Sequence, residues 1–133
     1  MIDRDQGCHS EQQLIQLLFS CRQSGCACFI SNPCFEFWLL LHVSDVKREY
    51  AGDLEKLQNN ERLSNKHTFI SYELSKKAGH TKDISEKKFI SSYLPNIDRA
   101  ILRAKEFEQD ADKLIYKLGT NLPELFKMIR EEI

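Results

Sequence analysis

The apolar residues of this chain fall into short runs, most of them with helical spacing, separated by polar segments. Ser10, followed by polar residues and then by Leu14 and Leu18, predicts a capped amphipathic helix that ends at Gly25. Residues 26–30 (CACFI) predict a short buried strand. Because a lone strand cannot satisfy its own backbone groups, it must pair with the first residues, with a hairpin not evident from the pattern, or with another chain.

The next segment predicts a central helix. Asn32 is placed to cap it, Pro33 to occupy its first position, and the following run is apolar on nearly all sides as far as His42. Residues 46–63 predict one or two polar surface helices, with Leu63 among the inward-facing positions. This part of the chain therefore favours a helix enclosed by other helices.

The last third carries the most regular stripe. Apolar residues at i+3 and i+4 spacing predict a helix of about 22 residues from Pro95 to Leu118, stopped by Gly119, and Asn121 with Glu124 predicts a final helix. The overall expectation is a single domain, residues 1–133, predominantly α-helical with a small residual β element.

Composition narrows the function classes. The chain has 133 residues, of which 29% are charged, and its formal net charge is -1. This balance excludes binding through a strongly basic surface overall but permits a local basic patch. The longest apolar run, residues 35–41, is too short to span a bilayer. The cysteines, at positions 8, 21, 26, 28 and 34, predict reduced thiols in a cytoplasmic protein. A zinc site of Cys26 and Cys28 with Cys8 and His9 is the alternative, but buried thiols are the more common arrangement.

Asp3 and Asp5 form the first candidate site. Two carboxylates two residues apart at a strand exit can project to one side and share a divalent cation such as Mg²⁺, which clamps phosphates. Solvated acidic residues, or ion pairing with Arg4, are the alternatives.

Glu36 and Asn32 form the second candidate site. Glu36 is the one charged side chain in an apolar run, and because burying an unpaired carboxylate is costly, it needs a partner or a cavity. On a helix Asn32 would lie one turn away on the same face. Either both residues form a polar catalytic site, or the Glu36 carboxylate interacts with backbone N–H groups at the positive, amino-terminal end of the helix.

Residues 64–88 are the one locally basic stretch. They hold six Lys and two His against three acidic residues. A solvated surface is the simpler interpretation, and a surface that contacts nucleic-acid phosphates is the alternative.

The string SNPCFEFWLLLHV, residues 31–43, resembles the signature of the RloB-like family, which includes the AbiL abortive-infection component and is similar to Toprim-type proteins. Asp3 and Asp5 match the family's D-x-D, and residues 100–105 and 119–125 look like its closing segments. The resemblance implies bacterial anti-phage defence beside a partner ATPase, with a metal-dependent nuclease centre in which Asp3 and Asp5 bind Mg²⁺ and Glu36 and Asn32 assist. It also implies a Toprim-like α/β domain.

The same resemblance has a second implication. Toprim-type domains carry a catalytic Glu on a strand before the D-x-D, so we expect this chain to be the back part of a larger domain. The alternative functions are a non-catalytic module that binds nucleic acid or protein, as in Csm2-type CRISPR-associated proteins, and a homodimer formed through the strand at residues 26–30.

Overall fold

The structure is mostly helical with one small sheet. A computed structural model describes residues 2–4, 10–79 and 86–132, without the side chains at 86 and 132. The described elements are β1 (Ile2–Asp3), α1 (Glu11–Gln23), β2 (Ile30–Asn32), α2 (Phe35–Val43), α3 (Val46–Glu49), α4 (Leu54–Asn59), α5 (Phe69–Ala78), α6 (Glu86–Tyr93), a 3-10 turn (Leu94–Asn96), α7 (Ile97–Ala104), α8 (Ala111–Leu114), β3 (Gly119–Thr120) and α9 (Leu122–Glu132). The predicted fold class, predominantly α-helical with a small β element, is confirmed.

The three strands form one mixed sheet with β2 in the middle. β1 pairs with β2 in parallel, with Ile2 opposite Ile30, and β3 pairs with β2 antiparallel, with Thr120 opposite Ser31. The prediction that the strand pairs with the first residues of the chain is confirmed. Because β2 has a neighbour on each side, the reason for expecting it to recruit a second chain is removed.

The observed strand β2 starts later than predicted. It begins at Ile30, where the pattern predicted residues 26–30. The side chain of Asn121 accounts for the difference. Its Oδ1 accepts a hydrogen bond from Ile30 N at 2.7 Å, and its Nδ2 donates to Cys28 O at 3.0 Å, so a side chain satisfies backbone groups that a strand ladder would otherwise use.

Helix α2 lies at the centre of the larger core. It packs against α5 and α7, and Phe37, Leu40 and Leu41 are fully buried. Burial of each such side chain contributes about 1.5–3 kcal/mol to folding. The predicted helix packed on several sides is confirmed. A second, smaller core joins α1 to β2 and α8.

The start of α2 differs from the prediction. Asn32 is the last residue of β2, the Asn32–Pro33 peptide is cis, and the helix begins only at Phe35. Asn32 does not cap the helix because its amide is used elsewhere: Nδ2 donates to Leu114 O at 2.7 Å. Cys34, the residue before the helix, makes no side-chain cap.

The predicted helix from Pro95 to Leu118 is wrong. The chain instead forms α7, a turn and α8. The interruption follows from backbone pairing around Glu108, whose N–H donates to Leu118 O at 3.1 Å and whose carbonyl accepts from Thr120 N at 3.1 Å. The chain must fold back to make these bonds, and Gly119 becomes the first residue of β3 instead of a helix stop.

The remaining helices largely follow their patterns. The side chains of Ser10 and Gln13 make the predicted capping box of α1, and Gly25 has a φ of 73°, in the left-handed region that favours glycine. Residues 46–63 form α3 and α4 as predicted, although Leu63 is 53% exposed and does not face inward. No helix within the described residues is long and apolar enough to cross a bilayer.

Candidate functional site

A polar cavity of about 130 Å³ lies where the end of β1, the start of α2 and the start of α5 meet. Its lining combines acidic, basic and hydroxyl side chains. The lining residues are Asp3, Cys34, Glu36, Arg62, Lys66, Thr68 and Ser71. The cavity therefore brings together one predicted metal ligand and one predicted catalytic residue.

The two carboxylates of the cavity lie at the amino-terminal end of α2. Asp3 Oδ1 accepts a hydrogen bond from Phe35 N at 2.9 Å, so Asp3 occupies the capping role that Cys34 leaves vacant. Glu36 lies in the first turn of the same helix and is half-buried. The partial positive charge at a helix amino terminus attracts acidic side chains. The arrangement therefore concentrates negative charge on one side of the cavity.

Asn32 does not share this cavity. It is 5% exposed, and its side chain connects β2 to Leu114 O, as described above. It borders a separate cavity of about 250 Å³, on which Arg4 and Tyr116 also lie. Since Asn32 belongs to β2, the expected one-turn spacing from Glu36 on a helix face is not found. Its hydrogen bond holds the end of β2 against Leu114.

The acidic side of the cavity consists of the carboxylates of Asp3 and Glu36. Asp5, the second carboxylate of the predicted pair, lies outside the described residues. Within the part of the chain that the structure describes, no three His, Cys, Asp or Glu side chains form a metal-binding group. Mg²⁺ is commonly held by one or two carboxylates together with water and substrate phosphates, so Asp3 and Glu36 fit this ion in number and chemistry.

Arg62 and Lys66 supply the positive side of the cavity. Both belong to residues 62–68, hereafter the basic loop, whose ends are joined by a backbone bridge between Arg62 and Thr68. Lys66 lies in the basic stretch singled out from the sequence. Arg62 was missed, because a single exposed Arg between Glu61 and Leu63 carries no pattern that would indicate a site.

The rest of the motif at residues 31–42 serves the core. His42 is 4% exposed and lies edge-on against the rings of Trp38 and Tyr93, with Nδ1 at 2.8 Å from Trp38 O. Burial lowers the pKa of His42 below its ordinary value. These contacts place His42 in the core, outside the lining of the cavity.

Two members of the zinc alternative, Cys26 and Cys28, lie within the described residues. Cys26 is an exposed free thiol, while Cys28 is partly buried and desolvation, with the nearby Cys21 thiol, raises its pKa. Cys8 and His9, the other members of that alternative, lie outside the described residues. Cys34 is buried and accepts a weak hydrogen bond from Asn60 Nδ2 at 3.6 Å.

Fold and site together define a mostly helical protein with a small mixed sheet and a cavity of opposed acidic and basic side chains. The family model described as RloB-like protein matches residues 1–129, and the chain belongs to that family. The match includes the motif around α2, together with Asp3 and Glu36. No curated protein and no solved structure matches the chain.

Proposed function

We propose that this protein is a component of bacterial anti-phage defence that binds Mg²⁺ at the cavity and hydrolyses phosphodiester bonds. The observation that carries the proposal is the convergence of Asp3 and Glu36, far apart in sequence, on one cavity at the start of α2. Asp5, which follows Asp3 by two residues, is the further ligand that the family resemblance suggests. Membership of the RloB-like family supports the role in defence.

Asp3 and Glu36 have different roles in the proposed reaction. Asp3 holds the cation and is itself oriented by the Phe35 N–H, so its carboxylate is fixed before a ligand arrives. Glu36, which lines the same cavity from the first turn of α2, is the proposed general base. In hydrolysis the water oxygen bonds to phosphorus and the bond between phosphorus and the leaving oxygen breaks. The water proton passes to Glu36, and the leaving oxygen takes a proton from solvent. Bound Mg²⁺ would neutralise charge developing on the phosphoryl oxygens.

Metal binding is tested by NMR titration of the full chain with Mg²⁺ and Mn²⁺. We expect site-specific shifts or broadening at Asp3, Glu36 and Phe35, weakened in Asp3→Asn and Glu36→Gln. Asparagine keeps an oxygen that accepts the Phe35 N–H, so Asp3→Asn removes charge while preserving the cap. Asp98→Asn, a change at an exposed carboxylate paired with Arg130, is the matched control. Absence of site-specific effects at millimolar metal would refute the metal site.

Catalysis is tested by cleavage of labelled DNA and RNA strands in Mg²⁺ and in EDTA. Loss of a general base typically slows a reaction by about 10²–10⁴-fold, so Glu36→Gln should abolish detectable cleavage while Asp98→Asn retains it. Cleavage that persists unchanged in Glu36→Gln would contradict the proposed role of Glu36.

A non-catalytic binding module is the second candidate function. The observation that favours it is the balance within the cavity, where Arg62 and Lys66 oppose Asp3 and Glu36. Such a module would bind nucleic acid equally well in EDTA and in Mg²⁺ and would leave the strand intact. Nucleic-acid binding without cleavage by the wild-type chain would therefore decide for this candidate.

A partner ATPase remains part of the proposal because the family resemblance implies one. Co-expression with an ATPase encoded beside the gene, followed by size-exclusion chromatography, tests it. Co-elution in a defined ratio is expected, and separate elution of two folded proteins would oppose it.

A further inference from the structure

The basic loop is a compact element held by its own backbone. Its ends are joined by the bridge between Arg62 and Thr68, and just outside them Phe69 N donates to Glu61 O at 2.8 Å. Inside the loop, His67 O accepts from Leu63 N at 2.9 Å and from Ser64 N at 3.2 Å. These bonds fix the path of the loop before any ligand binds.

Side chains of this segment alternate between two sides. Arg62, Lys66 and Thr68 line the cavity that holds Asp3 and Glu36. Glu61, Leu63 and Phe69 instead line a groove of about 490 Å³ on the other side. Neighbouring residues of extended backbone point in opposite directions, so the pairing at Arg62 and Thr68 directs their side chains to the same cavity.

The positive groups of the loop are available to an anion. Arg62 Nη1 donates to the carbonyls of Ser64 and Asn65, at 3.3 and 3.4 Å, which braces the guanidinium against its own loop. Neither Arg62 nor Lys66 forms an ion pair with a carboxylate in residues 2–4, 10–79 and 86–132. Two cations that have no acidic partner among the described residues, beside a polar cavity, match an anionic ligand.

The shape and chemistry of the cavity select among anions. The hydroxyl-bearing residues Thr68 and Ser71 accompany the two cations, and the carboxylates of Asp3 and Glu36 lie in the same cavity. The two oxygens of a carboxylate ligand lie on the same side of its carbon atom, so both would face the guanidinium and ammonium groups and neither would reach the acidic side. The oxygens of a tetrahedral phosphodiester group diverge, so some can contact the guanidinium and ammonium groups while another shares a cation with Asp3.

We propose that the basic loop binds the phosphodiester backbone of a nucleic-acid strand, with Arg62 and Lys66 holding one phosphate beside Asp3 and Glu36. The inference rests on the proposed function for the reaction that follows, but binding itself requires only the loop. Contacts to phosphate carry no sequence information, so the strand is recognised independently of its sequence. Arg62 and Lys66 are thus positioning residues for substrate.

The experiment measures fluorescence anisotropy of labelled single-stranded DNA and RNA with the full chain in EDTA at about 50 mM salt. We expect Arg62→Gln and Lys66→Gln each to weaken binding, and the double variant to weaken it roughly tenfold or more. Each lost contact should reduce the salt slope by about 1. The controls are Arg48→Gln and Lys56→Gln, which remove exposed charges that pair with Asp45 and Asp53.

The outcomes separate this inference from the proposed function. Unchanged affinity in the double variant, or no binding by wild type to either strand, would overturn the inference whatever the metal titration shows. In EDTA, Asp3→Asn should bind as tightly as wild type or more tightly, because it removes a negative charge near the phosphate. Loop-dependent binding without metal effects would uphold the inference while the proposed nuclease function fails. Circular dichroism of each variant verifies folding.

Discussion

A single methyl group added at Gly119 should lower the stability of the protein strongly. It opens β3, and its backbone runs against that of Glu108. A methyl group placed on Gly119 would lie 2.7 Å from Glu108 N and 2.8 Å from Glu108 C, and closer still to the carbonyl oxygen. Because these are backbone atoms that cannot rotate away, Gly119→Ala requires β3 and the segment at Glu108 to separate.

The cost follows from the contacts that this separation breaks. The hydrogen bonds from Glu108 N to Leu118 O and from Thr120 N to Glu108 O, both 3.1 Å, contribute about 1 kcal/mol each. Overpacking in a rigid environment adds about 1–3 kcal/mol. We therefore expect Gly119→Ala to lower the free energy of unfolding by about 3–5 kcal/mol, a large share of the about 5–15 kcal/mol typical of a domain.

Urea unfolding monitored by circular dichroism measures this effect through the midpoint and the slope of the transition. Gly52→Ala is the matched control, because a methyl group there would meet no atom within 4 Å. We expect the control to unfold close to wild type. A loss below about 0.5 kcal/mol in Gly119→Ala, the range of neutral surface substitutions, would refute the close approach of β3 to Glu108.

Two further predictions concern buried polar groups. Asn121→Ala should lower the free energy of unfolding by about 2–4 kcal/mol in the same assay, because Ile30 N and Cys28 O both lose their hydrogen-bond partner. The control is Gln58→Ala, which removes an exposed hydrogen bond, and equal stability of the two variants would contradict the role of Asn121. For His42, burial holds the pKa in the folded protein below the ordinary 6.5. The unfolded chain therefore binds the proton more readily as the pH falls below about 6.5. The contribution of His42 to the free energy of unfolding should be fully present above that pH and decline below it. His42→Gln should remove this part of the pH dependence, and an unchanged profile in that variant would refute the assignment.

Local sequence patterns were sufficient to predict helix α2 and the surroundings of its side chains. The all-round apolar character of residues 35–41 predicted a central helix, and α2 is buried accordingly. The position of Glu36 in that run indicated that its carboxylate needs a cavity or a partner, and it lines a cavity.

Distant contacts explain where sequence patterns failed. Asn32 before Pro33 is typical of a helix start, but its amide is engaged by Leu114 O, 82 residues further along the chain. The stripe from residue 97 to 118 predicted one helix because both of its pieces face the core, and only the pairing of Glu108 with β3 requires the break. Arg62 lines the cavity because of the path of the basic loop, and no local sequence pattern predicts that path.

The central place of β2 has a consequence for the time at which the protein can fold during synthesis. On one side its hydrogen bonds go to β1, made shortly before it. On the other, Ser31 meets Thr120 across 89 residues and Ile30 meets Asn121 across 91. Helix α2 and its neighbours can form before β3 has been synthesised, because Thr120 of β3 is made 89 residues after Ser31 of β2. Until β3 has been made, β2 has one unpaired edge, and an edge of this kind can pair with another chain.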